Sequence, residues 1–398
     1  MSQAQAMTNS LKGHLVLQRQ GWDMVLLCVT FAILGIGLVM VMSASIPIAE
    51  KQFGQPFVYF QKQLAYMVLG LLSAFFVSRI PVQQWSKAGP MLLALGFILL
   101  IAVLIPGVGK EVNGSMRWMP LGLINLQVSE VVKLLVFIYL AGYLVRRGDE
   151  VRNTARGFIK PMFVLTFAVV LLLLEPDFGA AAVMLATALG MMYMAGVGLL
   201  KFAALILTTV GSMAMIAMIS PYRVLRIFSF MNPWEDPYNS GFQLTQSLIA
   251  FGRGELFGVG LGGSVQKLFY LPETHTDFLY AILAEELGLV GAVIVIVLFA
   301  IIVMRAFQIA AHAQREQQLF SAYLAYGIGI CIGLQAFINI GVNMGVLPTK
   351  GLTLPLMSYG GSSLVVTLIS IGILMRIGYE AENHDKQQAW SKKRRVSK

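Results

Sequence analysis

The sequence predicts an all-α polytopic membrane protein: ten transmembrane helices, with a long extracytoplasmic loop between the seventh and eighth. Three observations lead there. Hydrophobic residues make up 57% of the chain and charged residues only 12%, against roughly 25% charged in soluble domains. Apolar runs recur from Met24 to Ile377, each long enough to cross about 30 Å of hydrocarbon as a helix. The cations sort by loop: with the N-terminus inside, the cytoplasmic connections and tails hold about 19 of the 29 Lys and Arg, as the positive-inside rule requires.

The expected spans are 24–44, 62–80, 88–105, 129–146, 159–175, 177–196, 200–219, 277–305, 319–345 and 362–378. The first follows a polar start carrying Lys12 and Arg19. It is too long for the hydrophobic region of a signal peptide and more spans follow, so it reads as an uncleaved helix. An even number of spans returns both termini to the cytoplasm. The chain then divides into a tail at 1–23, a membrane domain at 24–378 that includes a periplasmic loop at 220–276, and a basic tail at 379–398. Positive-inside sorting accounts for the net charge of +10. The Lys392-Lys393-Arg394-Arg395 cluster therefore reads as an anchor on anionic membrane lipid, not a nucleic-acid contact. Cys28 and Cys331 both fall in apolar runs and read as packing residues, with no disulfide framework.

Three outer segments carry the unusual residues. Gly109 to Glu130 is too polar to cross the membrane and amphipathic enough to lie along its surface. Ser220 to Thr276 is far longer than the roughly 15 residues beyond which structureless loops tend to be functional or disordered. Its aromatic residues interleave with charge at Asn232-Pro233-Trp234-Glu235-Asp236-Pro237, which argues against disorder. Leu347 to Ser363 contains prolines and glycines that break a helix, and such breaks at membrane depth are tolerated where they line a cavity.

Asp277, at the end of Pro272-Glu273-Thr274-His275-Thr276-Asp277-Phe278, stands where the long loop enters the eighth span. A carboxylate there can act as a base without the cost of full burial. Equally, Thr276 or Asp277 can cap the helix that follows. Glu130 and Lys133 open the fourth span at i,i+3, on one helix face, where they can pair. The pair reads either as a functional site, with Lys133 facing an anionic group, or as a device that fixes helix packing. Arg117, Arg223, Arg226, Arg253, Lys267 and Lys350 lie on the same side of the membrane. Their gathering fits phosphate or diphosphate, while any single one fits a lipid headgroup. The run from Phe251 to Gly263 is glycine-rich, yet no Lys-Ser/Thr follows it, so close backbone packing or loop flexibility is the better reading than a nucleotide cradle. Glu285 lies about 80° around the helix from Asp277, and Glu286 falls on the opposite side. Of the two, only Glu285 can share a cavity with Asp277. Asp177 reads as a cap for the sixth span. Histidine is scarce, and no metal-binding motif appears; a protein-built metal cage is not expected.

The strings NGSMRW (113–118), QVSEVVK (127–133), EPDFG (175–179), NPWEDP (232–237), GFQLTQSLIAFGRGELFGVGLG (241–262), LPETHTDF (271–278), AEELG (284–288) and PTKGLTLPLMSYGGSS (348–363) resemble the SEDS family (shape, elongation, division, sporulation), and most resemble its cell-division branch. Val128 and Glu175 depart from the family pattern, standing where Pro and Gln are expected, and neither is expected to touch the site.

The resemblance implies a peptidoglycan glycosyltransferase that polymerises lipid II at the outer face of the cytoplasmic membrane, at the division septum. Its partners would be lipid II, the growing glycan strand, a class B penicillin-binding transpeptidase, other divisome membrane proteins and membrane lipids. It implies Asp277 as catalytic base of an inverting transfer. Arg117, Glu130, Lys133, Arg253, His275, Thr276, Lys350 and Ser358 then stand as substrate-binding positions. No resident cofactor is implied, beyond a divalent cation (Mg or Mn) carried with the diphosphate. Two other readings stay open: a lipid II flippase, since ten spans and a broken segment fit a carrier as well, and a non-catalytic division scaffold.

Overall fold

The computed structural model describes residues 22–112, 115–120, 125–198, 211, 230–239, 241–348 and 351–396. The described helices are α1 (Met24–Phe53), α2 (Val58–Val77), α3 (Val82–Val103), α4 (Val128–Asn153), α5 (Ala155–Leu174), α6 (Phe178–Met194), α7 (Phe242–Gly254), α8 (Leu279–Arg315), α9 (Leu319–Asn343) and α10 (Gly361–Val396). Eight are long and apolar enough to cross a membrane. With 17 residues, α6 reaches about 25 Å and nearly does so. These nine coincide with nine expected spans, and α7 is an extra helix inside the long loop. The remaining span, 200–219, lies outside the described residues, as do Arg223, Arg226 and Lys350.

Three helices run well past their expected ends: α1 by nine residues, α8 by ten and α10 by eighteen. Helix α1 continues through Pro47 and ends at Gly54, whose left-handed φ of 65° terminates the helix at no steric cost.

The polar segment after α3 folds as a small antiparallel meander of β1 (Lys110–Val112), β2 (Ser115–Pro120) and β3 (Asn125–Gln127). Trp118 pairs with Lys110 on one side and with Gln127 on the other. Because β3 runs directly into α4, the sheet fixes where α4 starts. Packed against α3, α5 and α9, α4 is buried along nearly its whole length from Val128 to Leu144. That all-round burial lets it carry charged side chains away from lipid.

Two polar clasps set α1 against α8. At one end Arg305 Nε donates to Asp23 Oδ2 at 3.1 Å. At the other, Glu286 accepts from Ser43 Oγ at 2.7 Å and from Lys267 Nζ at 2.7 Å. Asp23 and Ser43 are 20 residues apart on α1, about 30 Å along the axis, which is the thickness of the hydrocarbon.

Helix α8 is interrupted at Gly288, which has φ 67° and ψ −166°. The opened turn is closed by the loop. Val259 and Gly260 amides donate to the Glu285 and Glu286 carbonyls at 3.0 and 3.1 Å, and Leu289 and Val290 amides donate to Glu255 and Leu256 carbonyls at 2.9 and 3.1 Å. Backbone freed from the helix is therefore satisfied, as apolar surroundings require. The two chains approach so closely that a Cβ on Gly258 would lie 2.2 Å from the Glu286 carbonyl, and one on Gly288 2.4 Å from the Gly258 amide. The glycine-rich run is thus a backbone-packing device, as its lack of a phosphate-loop signature implied.

Candidate functional site

The site is built around two clusters joined by α9 and by the unwound segment before α10. The first forms where β3 enters α4. Lys133 Nζ donates to Glu130 Oε1 at 2.8 Å, and the two residues are 2% and 5% exposed. They line a small cavity of about 20 Å³ together with Phe137, Cys331, Gln335 and Thr367, room for about one water molecule. Beside them, Asp177 caps α6 as expected, its Oδ1 accepting from the Ala180 amide at 3.1 Å. Its Oδ2 accepts from Ser129 Oγ at 2.8 Å, so the cap also ties α6 to the first turn of α4.

Arg117 projects from β2, half-buried, and its charge reaches Glu175. Glu175, at the C-terminal end of α5, is fully buried, and among the described residues neither carboxylate oxygen has a hydrogen-bond partner. Burial, then the neighbouring Asp177, push its carboxyl up to about 8, with Arg117 opposing. Glu175 thus lies within electrostatic reach of Arg117.

The second cluster surrounds Asp277. Position 278 is the N-cap of α8, without a side-chain cap bond, and the Ala281 amide is satisfied by Asn343 Oδ1 at 3.1 Å. Thr276 does not cap the helix; its hydroxyl donates to Glu273 Oε2 at 2.7 Å. The Asp277 carbonyl accepts from both Asn339 Nδ2 and Asn343 Nδ2, at 2.9 and 3.0 Å. Asp277 Oδ2 faces Gly351, where a Cβ would stand 3.1 Å away.

His275 is 6% exposed, its ring 4.6 Å from that of Tyr59 and 5.6 Å from that of Tyr359. Burial lowers its pKa, leaving the imidazole neutral at pH 7. Its carbonyl accepts from the Tyr359 amide at 2.9 Å, tying the Asp277 loop to the unwound segment. Ser358 is buried, and its hydroxyl accepts from the Leu354 amide at 3.0 Å, closing a turn of that same segment.

Three residues have other partners than their sequence setting suggested. Glu285 accepts from Arg253 Nη1 at 2.9 Å, from the Val265 amide at 3.0 Å and from Ser264. Arg253 is thereby tied to the base of the loop, although its side chain stays 41% exposed. Lys267 is held by Glu286 and Ser43.

Residues 351–363 bridge the clusters. Leu352 carbonyl accepts from Asn339 Nδ2 at 2.6 Å. Ser362 Oγ donates to the Asn125 carbonyl at 3.0 Å and accepts from the Gln127 amide at 2.8 Å, one residue before α4. Along α9, Gln335 lines the Lys133 cavity and Asn339 holds Asp277 one turn later, about 6 Å along the axis. Sequence reading passed over Gln335, Asn339 and Asn343. Their signal was present: amides four residues apart in an apolar span share one face, and that face turns to the protein interior.

Among the described residues no three His, Cys, Asp or Glu side chains gather where they could hold a metal ion.

Comparison with known proteins gives consistent matches. The family model FTSW_RODA_SPOVE, cell cycle protein, matches residues 24–383. A protein of Thioalkalivibrio sulfidiphilus named "Probable peptidoglycan glycosyltransferase FtsW" is 56% identical over 361 residues, covering 91% of this chain and 90% of its own. One of the same name from Coxiella burnetii is 54% identical, over 91% of this chain and 97% of its own. Among solved structures, a chain from work on polymerization and crosslinking by a peptidoglycan synthase complex superposes with a TM-score of 0.74 at 29% identity, covering 91% and 99% of the two chains. The rod shape determining protein RodA of Thermus thermophilus gives 0.67 at 27% identity, over 91% and 98%.

Proposed function

We propose, from the premise that this chain belongs to the FtsW, RodA and SpoVE family of cell cycle proteins, how its residues divide the work of a peptidoglycan glycosyltransferase. The chain is a multi-pass membrane protein and a peptidoglycan glycosyltransferase of cell division. Our reading adds that the substrate is lipid II, that polymerisation takes place at the extracytoplasmic face of the septal membrane, and that both termini are cytoplasmic. A class B transpeptidase and other divisome membrane proteins complete the working assembly.

In the proposed reaction Asp277 accepts the proton of the C4 hydroxyl of an acceptor sugar. The hydroxyl oxygen bonds to C1 of the donor as the bond from C1 to the undecaprenyl diphosphate oxygen breaks. That oxygen leaves with the electron pair, and the anomeric centre inverts. Lys133 and Arg117 offset the charge that grows on the diphosphate, the kind of preorganised electrostatics that usually dominates such catalysis. Glu130 orients Lys133. Arg253 holds the long loop over the site through Glu285. His275, Thr276 and Ser358 shape the walls through the contacts described above. A Mg or Mn ion, where the reaction uses one, would be held mainly by diphosphate oxygens and water, since Mg²⁺ keeps much of its hydration.

One observation carries this reading: Asn339 of α9 holds the backbone of Asp277, whose carboxylate faces Gly351 of the unwound segment, one turn from Gln335, which lines the cavity of the buried Lys133. Product analysis tests it. Purified full-length protein, with its transpeptidase partner, is expected to convert lipid II in detergent into glycan strands resolvable by length. Unchanged lipid II, with transport of it across vesicle membranes instead, would make the chain a flippase.

A further inference from the structure

We infer that Asn339 and Asn343 are positioning residues for the Asp277 base, acting through its backbone carbonyl. The inference rests on the assignment of Asp277 made above and adds to it the elements that set where the carboxylate sits.

Both asparagines are buried, at 2% and 0% exposure, in a largely apolar helix where an amide without partners is costly. Their N–H groups are all accounted for. Asn339 Nδ2 donates to the Asp277 carbonyl at 2.9 Å and to the Leu352 carbonyl at 2.6 Å. Asn343 Nδ2 donates to the same Asp277 carbonyl at 3.0 Å and to the Asn339 carbonyl at 2.8 Å. A carbonyl oxygen has two lone pairs, and here both are taken by α9. Asn343 Oδ1 also accepts from the Ala281 amide at 3.1 Å, so one side chain fixes Asp277 and the first turn of α8 together. Asn339 fixes Asp277 and, through Leu352, the unwound segment carrying Gly351, the residue that Asp277 Oδ2 faces.

Helix packing alone does not call for this pattern. The neighbouring carbonyl of Phe278 takes ordinary helical partners, the Ala281 and Ile282 amides, whereas two side chains of another helix converge on the single residue whose carboxylate reacts. Both are neutral, so they set the position of the base without altering its charge. Displacement of a reacting group by about 1 Å can cost on the order of 100-fold in rate.

The test compares Asn339→Ala and Asn343→Ala with wild type in lipid II polymerisation by the full chain, with and without the transpeptidase. Rates are normalised to folded protein measured by size exclusion and thermal melting. We expect kcat to fall by about 10- to 100-fold with KM changed less than about 3-fold. Thr30→Ala, which removes a buried hydroxyl that donates to the Leu26 carbonyl within α1, should leave both constants unchanged. Wild-type kcat per folded molecule, or a loss confined to KM, would overturn the inference.

Should the asparagine variants fail to fold, Gly351→Ala applies pressure to the same carboxylate from the other side. It is expected to lower kcat at least about 10-fold, and an unchanged kcat would likewise overturn the inference. Failure of the underlying assignment looks different: Asp277→Asn would then retain polymerisation. An inactive Asp277→Asn beside fully active asparagine variants sinks the positioning role alone.

Discussion

The buried Glu130–Lys133 pair shows how a charged group is kept in a membrane protein. Removing one partner leaves the other uncompensated at a cost of about 3–5 kcal/mol, so Lys133→Ala should lower the melting temperature as well as stop polymerisation. Exchanging the two residues, Glu130→Lys with Lys133→Glu, should restore much of the melting temperature, because the attraction is kept. We expect polymerisation to stay lost in the exchange, because the charge offered to diphosphate has moved; recovery of activity would reduce the pair to a packing device. Glu175 makes a separate prediction. Its folded pKa of about 8 lies above the ordinary carboxylate value of 4.5, so the folded chain binds a proton that the unfolded chain releases. Stability should therefore fall as pH rises from about 5 to 8 and stay low above it. Glu175→Gln should flatten that dependence and raise the melting temperature at pH 9 by a few degrees; equal slopes for the two proteins between pH 5 and 9 would contradict it.

Among the elements, α8 is the one whose sequence and structure differ most instructively. Its apolar run reads as one span starting at Asp277, and the residues from Leu279 are indeed helical. What hydropathy alone does not register is the break at Gly288, because the compensating hydrogen bonds come from Glu255 to Gly260, some thirty residues earlier. The Gly258–Gly288 contact is the pivot of that exchange. Gly258→Val places a branched side chain at a φ of 80° and against the Glu286 carbonyl, a backbone strain of order 1–3 kcal/mol before any clash. We expect faster proteolytic cutting between residues 241 and 276 and at least a tenfold loss of polymerisation. Cleavage and activity like wild type would show that the loop is not anchored there. The asparagines of α9 were likewise legible only in part. Their spacing marks an inward face, yet which carbonyls they meet depends on a segment distant in sequence. Glu130 and Lys133, by contrast, pair within one helix, and local spacing was enough to place them together.

Taken whole, the molecule is a membrane bundle whose spans could be read from hydropathy, because the solvent for those helices is lipid and each must be apolar over about 20 residues. The Asp23–Arg305 and Ser43–Lys267–Glu286 clasps then give the α1–α8 pair its register across roughly that thickness. The candidate site was legible as residues and not as a place: Asp277, Glu130 and Lys133 stand out as charges in or beside apolar runs, whereas the bridge formed by residues 351–363 exists only through long-range contacts. Everything in the account converges on the Asp277 carboxylate. The most direct test is the initial rate of glycan formation from purified lipid II by the full-length protein with its transpeptidase, wild type against Asp277→Asn, with membrane insertion and partner binding checked in parallel. We predict no detectable polymer from a variant that inserts and binds normally. A polymer yield near wild type would contradict the account.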